Sequence, residues 1–103
     1  MKIPKILSII VPVYNEETNI KPFYQALISV LKQTKSGNEI IFIDDGSTDG
    51  SYKTIGVLAQ EDNRIKCLRF SRNFGSHAAL LAGLQWASGD AVVIISADLP
   101  SWR

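Results

Sequence analysis

Four short apolar runs alternate with three stretches of helical periodicity, and this alternation limits the possible folds more than any other feature. The predicted strands are Ile6 to Val11, Ile40 to Ile43, Ile65 to Phe70 and Ala91 to Ile95. The predicted helices begin near Thr18, Asp49 and Ser76, and they end near Gly37, Gln60 and Ser88. Strands that alternate with helices predict a doubly wound α/β domain with a mostly parallel sheet.

The composition of the strands predicts their order. The first, second and fourth runs are almost continuously apolar, as in strands that are buried on both faces of a sheet. The third run interleaves Arg64, Lys66 and Arg69 with apolar residues, a pattern that protects an edge strand from unwanted pairing. With right-handed crossovers, an edge position for this strand gives the order 3-2-1-4. The topological switch point, where such sheets bind ligands, then lies between the first and fourth strands.

Three helix residues carry specific predictions. Gly37 is placed as the C-cap of the first helix. Tyr52 is placed on the inward face of the second helix, at helical spacing from Ile55. Gly83 lies inside the third helix, where its missing side chain lets neighbouring backbone approach closely.

Length and charge narrow the functional classes. The 103 residues suffice for one domain, and a formal net charge of +1 gives no general attraction to nucleic acid or anionic membranes. The single cysteine, Cys67, excludes an internal disulfide and fits a reducing, cytoplasmic compartment. No apolar run approaches the ~20 residues that span a bilayer, and the apolar start of the chain is interpreted as a strand, since Pro12 interrupts it and no cleavage site follows.

Polar residues gather where the first two strands end. After the first strand, Tyr14 offers a ring for stacking and Glu16 a carboxylate, although Asn15 and the acids also fit the N-terminus of a helix. After the second strand come Asp44 and Asp45, whose side chains point to opposite faces unless the chain turns at Gly46. Asp45 is therefore the better candidate for a cleft, with Asp44 holding the loop. Paired carboxylates repel a bare phosphate but accept hydrogen bonds from ribose or base, or bind a metal.

The other two strand ends add a cation and an acid. Arg72 follows the third strand and either neutralises a diphosphate or is one more charge on a solvated edge. The lone histidine, His77, is interpreted as a surface residue near a helix start. Asp98 follows the fourth strand, across the switch point from the first loop. A single carboxylate there can hold Mg²⁺ or Mn²⁺ that is mainly bound by diphosphate oxygens and water.

The sequence resembles family 2 glycosyltransferases, and within them the subgroup that passes a sugar from a nucleotide donor to polyprenyl or dolichyl phosphate. The matching segments are VPVYNEE at 11–17, IDDGSTDGS at 43–51, SRNFGSHAALLAGL at 71–84 and ADL at 97–99. They occur in the family's order over essentially the whole chain.

The resemblance implies a GT-A fold, a UDP- or GDP-sugar donor and a divalent cation, with the parent enzyme at the cytoplasmic face of a membrane. Asp45 would contact base or ribose, with Asp44 beside it, and Asp98 would be the metal ligand that ends the family's Asp-X-Asp motif. The other donor-binding positions that the resemblance implies are Pro12, Tyr14, Glu16, Arg72 and Ser96.

Two departures from the family pattern qualify this prediction. Ser96 replaces the first acid of Asp-X-Asp, and its hydroxyl would bind ribose or a metal-bound water. The resemblance covers only the first half of a catalytic domain. Residues 1–103 are therefore predicted to form the nucleotide-binding half, without the catalytic base or the acceptor site, and the isolated chain is predicted not to turn over. Apolar surface around the fourth strand and third helix would then be exposed and favour self-association.

Two other functions fit parts of the pattern. A non-catalytic module would bind nucleotide, or only a partner chain, through the same strand ends. A phosphoacceptor receiver domain is also doubly wound and acidic, but its acidic pair would follow the first strand, and no lysine lies at a late strand end here.

Overall fold

The computed structural model describes residues 5–97, which form a single four-stranded parallel sheet with the order β3-β2-β1-β4. The predicted topology is confirmed. The elements in chain order are β1 Ile6–Val13, α1 Glu17–Leu31, β2 Gly37–Asp44, α2 Ser51–Glu61, β3 Ile65–Arg69, α3 Ser76–Trp86 and β4 Ala91–Ile94.

The two faces of the sheet are covered by different helices. Alternate strand residues, among them Val11 and Phe42, pack with α1 and α2 on one face. Ile10, Ile41 and Ile43 point to the other face, where Ala79 of α3 packs against them. This alternation is the period-2 geometry of a strand, and it explains why β1 and β2 read as continuous apolar runs.

Gly83 provides the close contact between α3 and the sheet. The glycine is buried, and a Cβ atom added there would lie 2.5 Å from Cγ2 of Ile10 in β1. The sheet does approach α3 closely at this glycine, but the neighbour is the Ile10 side chain and not the predicted backbone. Because the helix lies this near the sheet, its N-terminal residue Ser76 is held close to the carboxyl ends of the strands.

At the end of the sheet opposite to the carboxyl ends of the strands, a buried carboxylate connects several segments through hydrogen bonds. Glu39 of β2 accepts hydrogen bonds from the Ser8 hydroxyl and from the backbone N–H of Ser88, at 2.7 Å for the latter. Lys66 of β3 completes the network with a 2.7 Å ion pair. Burial alone would raise the pKa of Glu39, but the hydrogen bonds from Lys66, Ser8 and Ser88 outweigh it and lower the pKa to about 2.

Several local predictions were wrong. Helix α1 ends at Leu31, and Gly37 begins β2, so it is not the helix C-cap. Tyr52 is 41% exposed, because its ring packs under the Arg69 guanidinium, 4.4 Å from the ring centroid, and not into the core.

Strand β4 is the largest departure from the sequence pattern. Its apolar run predicted burial on both faces, yet Val92, Val93 and Ile94 are exposed. Helix α3 packs over β1 and β2 and leaves β4 uncovered. The predicted apolar surface around β4 and α3 is therefore present. Among the described residues, no helix is long and apolar enough to cross a membrane.

Candidate functional site

Hydrogen bonds join the loop after β1 to the loop after β2. Asn15 has a positive φ of 52°, and its side-chain oxygen accepts a 2.8 Å hydrogen bond from the Thr48 N–H. Its own N–H donates to the Ser47 hydroxyl at 2.9 Å, and the next N–H, of Glu16, donates to the Ser51 hydroxyl at 3.0 Å. The alternative prediction that Asn15 caps α1 is therefore wrong, since the N-cap position is Glu16, whose side chain makes no capping hydrogen bond.

The same two loops share a second contact on their outer side. The Gly50 N–H donates to a carboxylate oxygen of Glu17 at 2.9 Å, and the Glu17 N–H donates to Asp49 at 3.2 Å. Burial would raise the pKa of Asp49, but hydrogen bonds from Ser51 and Glu17 outweigh it and lower the pKa. These polar residues thus satisfy the backbone of two loops that would otherwise be irregular and mobile.

The adjacent acids Asp44 and Asp45 diverge, as the strand geometry predicts. Asp44 is completely buried, and its Oδ1 accepts a 3.1 Å hydrogen bond from the Ser47 N–H, so it holds the loop. Its Oδ2 lies 3.7 Å from Nε of Arg69 and accepts no hydrogen bond. Asp45 turns to the α3 side and is 4% exposed.

The Asp45 carboxylate receives three hydrogen bonds from the loop between β3 and α3. The Phe74 N–H donates to Oδ1 at 2.8 Å, while the Gly75 N–H and the Asn73 amide each donate to Oδ2 at 3.1 Å. No role was predicted for Asn73. No local pattern reveals it, because the residues that it joins lie 28 positions apart.

An open cleft of about 320 Å³ lies where the carboxyl ends of β1, β2 and β4 meet. Strand pairing brings these ends together: Val13 pairs with Asp44, and the Ile95 N–H donates to Ile10 O. Five of the predicted donor-binding residues line the cleft, namely Pro12, Tyr14, Glu16, Asp45 and Ser96. Val13 and Ser76 also line it and were not predicted; the only signal for Ser76 was its position at a helix start.

Two predicted donor-binding residues do not line this cleft. Asp44 is buried, as described above, and Arg72 is exposed, with its guanidinium 4.4 Å from the Phe74 ring centroid. His77 is exposed on the first turn of α3. A second open cleft, of about 380 Å³, contains Arg69 and Ser71 but none of the predicted donor-binding residues.

The predicted metal ligand, Asp98, lies outside the described residues. Within 5–97, no three histidine, cysteine or acidic side chains are grouped as a metal site requires. The described residues therefore do not form a metal site by themselves.

The fold is that of a GT-A glycosyltransferase, and comparison with known proteins identifies the family. The model of the glycosyl transferase family 2 matches residues 8–100. The chain belongs to this family.

Relatives agree on this class. The undecaprenyl-phosphate 4-deoxy-4-formamido-L-arabinose transferase of Proteus mirabilis is 40% identical over 95% of this chain and 30% of its own length. The bactoprenol glucosyl transferase of Shigella phage SfV is 45% identical over 90% of this chain and 30% of its own length.

A solved structure supports the same fold. The mannosyltransferase of Pyrobaculum calidifontis, in complex with GDP-Man and Mn²⁺, superposes with a TM-score of 0.81 and 28% identity over 92% of this chain and 28% of that chain. The chain thus spans less than a third of the length of these proteins. The predicted GT-A architecture is confirmed.

Proposed function

We propose that this chain is the donor-binding part of a glycosyltransferase that moves a sugar from a UDP- or GDP-sugar to polyprenyl phosphate. The observation that carries the proposal is the cleft itself. Side chains from three separate strand ends, including Tyr14, Asp45 and Ser96, meet around one volume of about 320 Å³. That position, outside the carboxyl ends of the strands beside a topological switch point, is where open α/β sheets bind nucleotides.

The lining chemistry fits a nucleoside better than a bare phosphate. Tyr14 is 46% exposed and offers its ring face for stacking on a base. Asp45 and Glu16 offer carboxylate oxygens, which accept hydrogen bonds from ribose hydroxyls or base N–H groups and repel a phosphate. The diphosphate therefore requires a positive partner, and Arg72 and a divalent cation are the candidates.

We assign the cation, Mg²⁺ or Mn²⁺, to Asp98, with Ser96 contacting ribose or a metal-bound water. The Mn²⁺ bound in the Pyrobaculum mannosyltransferase supports a divalent ion. Such an ion would neutralise the leaving diphosphate.

The acceptor and location follow from the relatives. The undecaprenyl phosphate in the name of the Proteus enzyme and the bactoprenol in that of the phage enzyme support a lipid phosphate acceptor, and with it a place at the cytoplasmic face of a membrane for the whole enzyme. The resemblance assigns the base that would deprotonate an acceptor to no residue of this chain. Residues 1–103 alone are therefore expected to bind donor without turnover, and a metal-dependent glycosyl product from this chain would contradict that expectation.

Isothermal titration calorimetry with UDP and GDP, each with and without Mn²⁺, tests donor binding. Tyr14→Ala should weaken binding by about 5- to 150-fold, since base–aromatic stacking is worth about 1–3 kcal/mol. Tyr52→Ala is the matched control, because Tyr52 is similarly exposed but lies outside the cleft. Equal losses in the two variants, or no binding by the unaltered chain, would refute the proposal.

The exposed apolar surface favours a second candidate function, a self-associating module. Its large exposed residues are Leu81, Leu84 and Trp86 of α3 and Val92, Val93 and Ile94 of β4. Ile94 pairs with Ile10 and shares the α3 face of the sheet, whereas Val93 pairs with Ile9 and lies on the other face. Exposed apolar surface of this kind is typical of interaction sites. Val93→Lys should lower the sedimentation coefficient of associated species towards that of a monomer. An unaltered chain that stays monomeric at high concentration would exclude this function.

A further inference from the structure

We propose that Asn73 is a positioning residue that fixes the Asp45 carboxylate and the loop 71–75 as one unit beside the cleft. The inference rests on the proposed function, because it concerns how the donor site is held. Asn73 donates to Asp45 twice, at 3.1 Å to the carboxylate Oδ2 and at 3.3 Å to the backbone oxygen. One amide group therefore hydrogen-bonds to both the side chain and the main chain of the same residue.

The number of acceptor positions on the Asp45 carboxylate explains why the hydrogen bonds from Asn73 determine its orientation. A carboxylate offers about four lone-pair positions. Two donors, the Asn73 amide and the Gly75 N–H, bond to Oδ2, whereas Oδ1 receives only the Phe74 N–H. The remaining acceptor capacity is therefore on Oδ1, and a ligand that bonds to Asp45 must reach that oxygen.

The loop that supplies these hydrogen-bond donors also packs against the backbone at Gly46. Gly46 has a φ of 73°, and a Cβ atom added there would lie 2.2 Å from the Arg72 carbonyl carbon. The backbone after β2 thus packs directly against the peptide that precedes Asn73. At the other end, Gly75 has a φ of 101°, which lets the chain turn from the loop into α3.

These contacts connect Asn73 to the proposed diphosphate partner Arg72 and to the cleft. The loop carries Arg72, whose guanidinium stacks on Phe74, and it leads directly into Ser76 at the edge of the cleft. Removing the Asn73 amide releases Oδ2 from one of its two donors and frees the loop from the main chain of Asp45. The carboxylate then samples orientations in which Oδ1 no longer faces the ligand.

The test is a double-mutant cycle on UDP affinity, measured with Mn²⁺ present. Asn73→Ala should weaken binding at least about fivefold, since hydrogen bonds to charged groups are among the stronger ones. Asp45→Asn should weaken it as well, because the new amide group cannot accept the loop N–H bonds at both positions. If the two residues act as one unit, adding Asn73→Ala to Asp45→Asn causes little further loss.

Asn38→Ala is the matched control. Its amide oxygen accepts a 3.0 Å hydrogen bond from Arg64 at the opposite end of the sheet. This variant should lose comparable stability and keep its UDP affinity. A merely structural role for Asn73 would give the two variants the same behaviour.

Amide hydrogen exchange gives a readout that needs no ligand. Asn73→Ala should speed exchange at Phe74 and Gly75 and leave the amides of β1 unchanged. Unaltered UDP affinity in Asn73→Ala, fully multiplicative losses in the double variant, or unchanged exchange at Phe74 and Gly75 would each overturn the inference. Absence of UDP and GDP binding by the unaltered chain would instead refute the proposed function, and the role in donor binding with it.

Discussion

Replacing two helix glycines by alanine separates helix propensity from packing against the sheet. Gly56 in α2 and Gly83 in α3 both lie in helix interiors, where alanine is favoured by about 1 kcal/mol. A Cβ atom at Gly56 would meet nothing within 4 Å. Gly56→Ala should therefore raise the free energy of unfolding by about 1 kcal/mol.

The same substitution at Gly83 should have the opposite sign. A Cβ atom there would lie 2.5 Å from Cγ2 of Ile10 and 3.2 Å from two further atoms of that side chain, which is itself completely buried. Relieving such a contact in a packed core costs about 1–3 kcal/mol, which offsets or exceeds the propensity gain. The two variants should consequently differ by about 1–3 kcal/mol.

Urea denaturation followed by circular dichroism measures this difference. Gly56→Ala should move the midpoint to higher urea and Gly83→Ala to lower urea or not at all, with the same m-value in both. Ile10→Ala should reduce the penalty at Gly83, since it removes the atoms that the new methyl group meets. Equal stabilisation by the two glycine substitutions would refute the packing of α3 on β1 that brings Ser76 to the cleft.

Two further predictions concern stability. The pKa of Glu39 is lowered to about 2 from an ordinary value of 4.5, and this shift stabilises the fold above pH 4.5 by at most about 3 kcal/mol. The contribution is nearer to about 2 kcal/mol, because the partner Lys66 is half exposed. It is lost as the pH falls from 4.5 to 2. In urea titrations the unaltered chain should therefore exceed Glu39→Gln in stability at pH 7 and lose that advantage by pH 2, whereas a pH-independent difference would contradict the network. Gly46→Ala should destabilise the chain by about 2 kcal/mol or more, since it combines a positive φ with a backbone contact; a melting temperature equal to that of the unaltered chain would contradict the close packing of the two loops.

The strand order was predictable because it depends on patterns that are visible along the chain. Apolar runs of strand length marked β1 and β2, and interleaved charge marked β3 as an edge. The position of Asp45 followed from the same reasoning, since neighbouring strand residues point to opposite faces. Such features are local or periodic, and a sequence states them directly.

The features that were missed depend on contacts between distant segments. The apolar run of β4 by itself predicted burial, and its exposure was predicted only from the partial coverage of the family; it depends on the position of α3 over β1 and β2. The Tyr52 ring packs under the guanidinium of Arg69, a residue on another element. Asn15 binds the Thr48 N–H, 33 residues away, where local reasoning predicted a helix cap.

Amide chemical-shift mapping by NMR tests the central claim most directly. Titration of the ¹⁵N-labelled chain with UDP and Mg²⁺, which is diamagnetic, should shift the amides of Tyr14, Asp45, Ser76 and Ser96 together, with one common dissociation constant. Shifts confined to the second cleft around Arg69 and Ser71, or to β4, would contradict the assignment of the donor site.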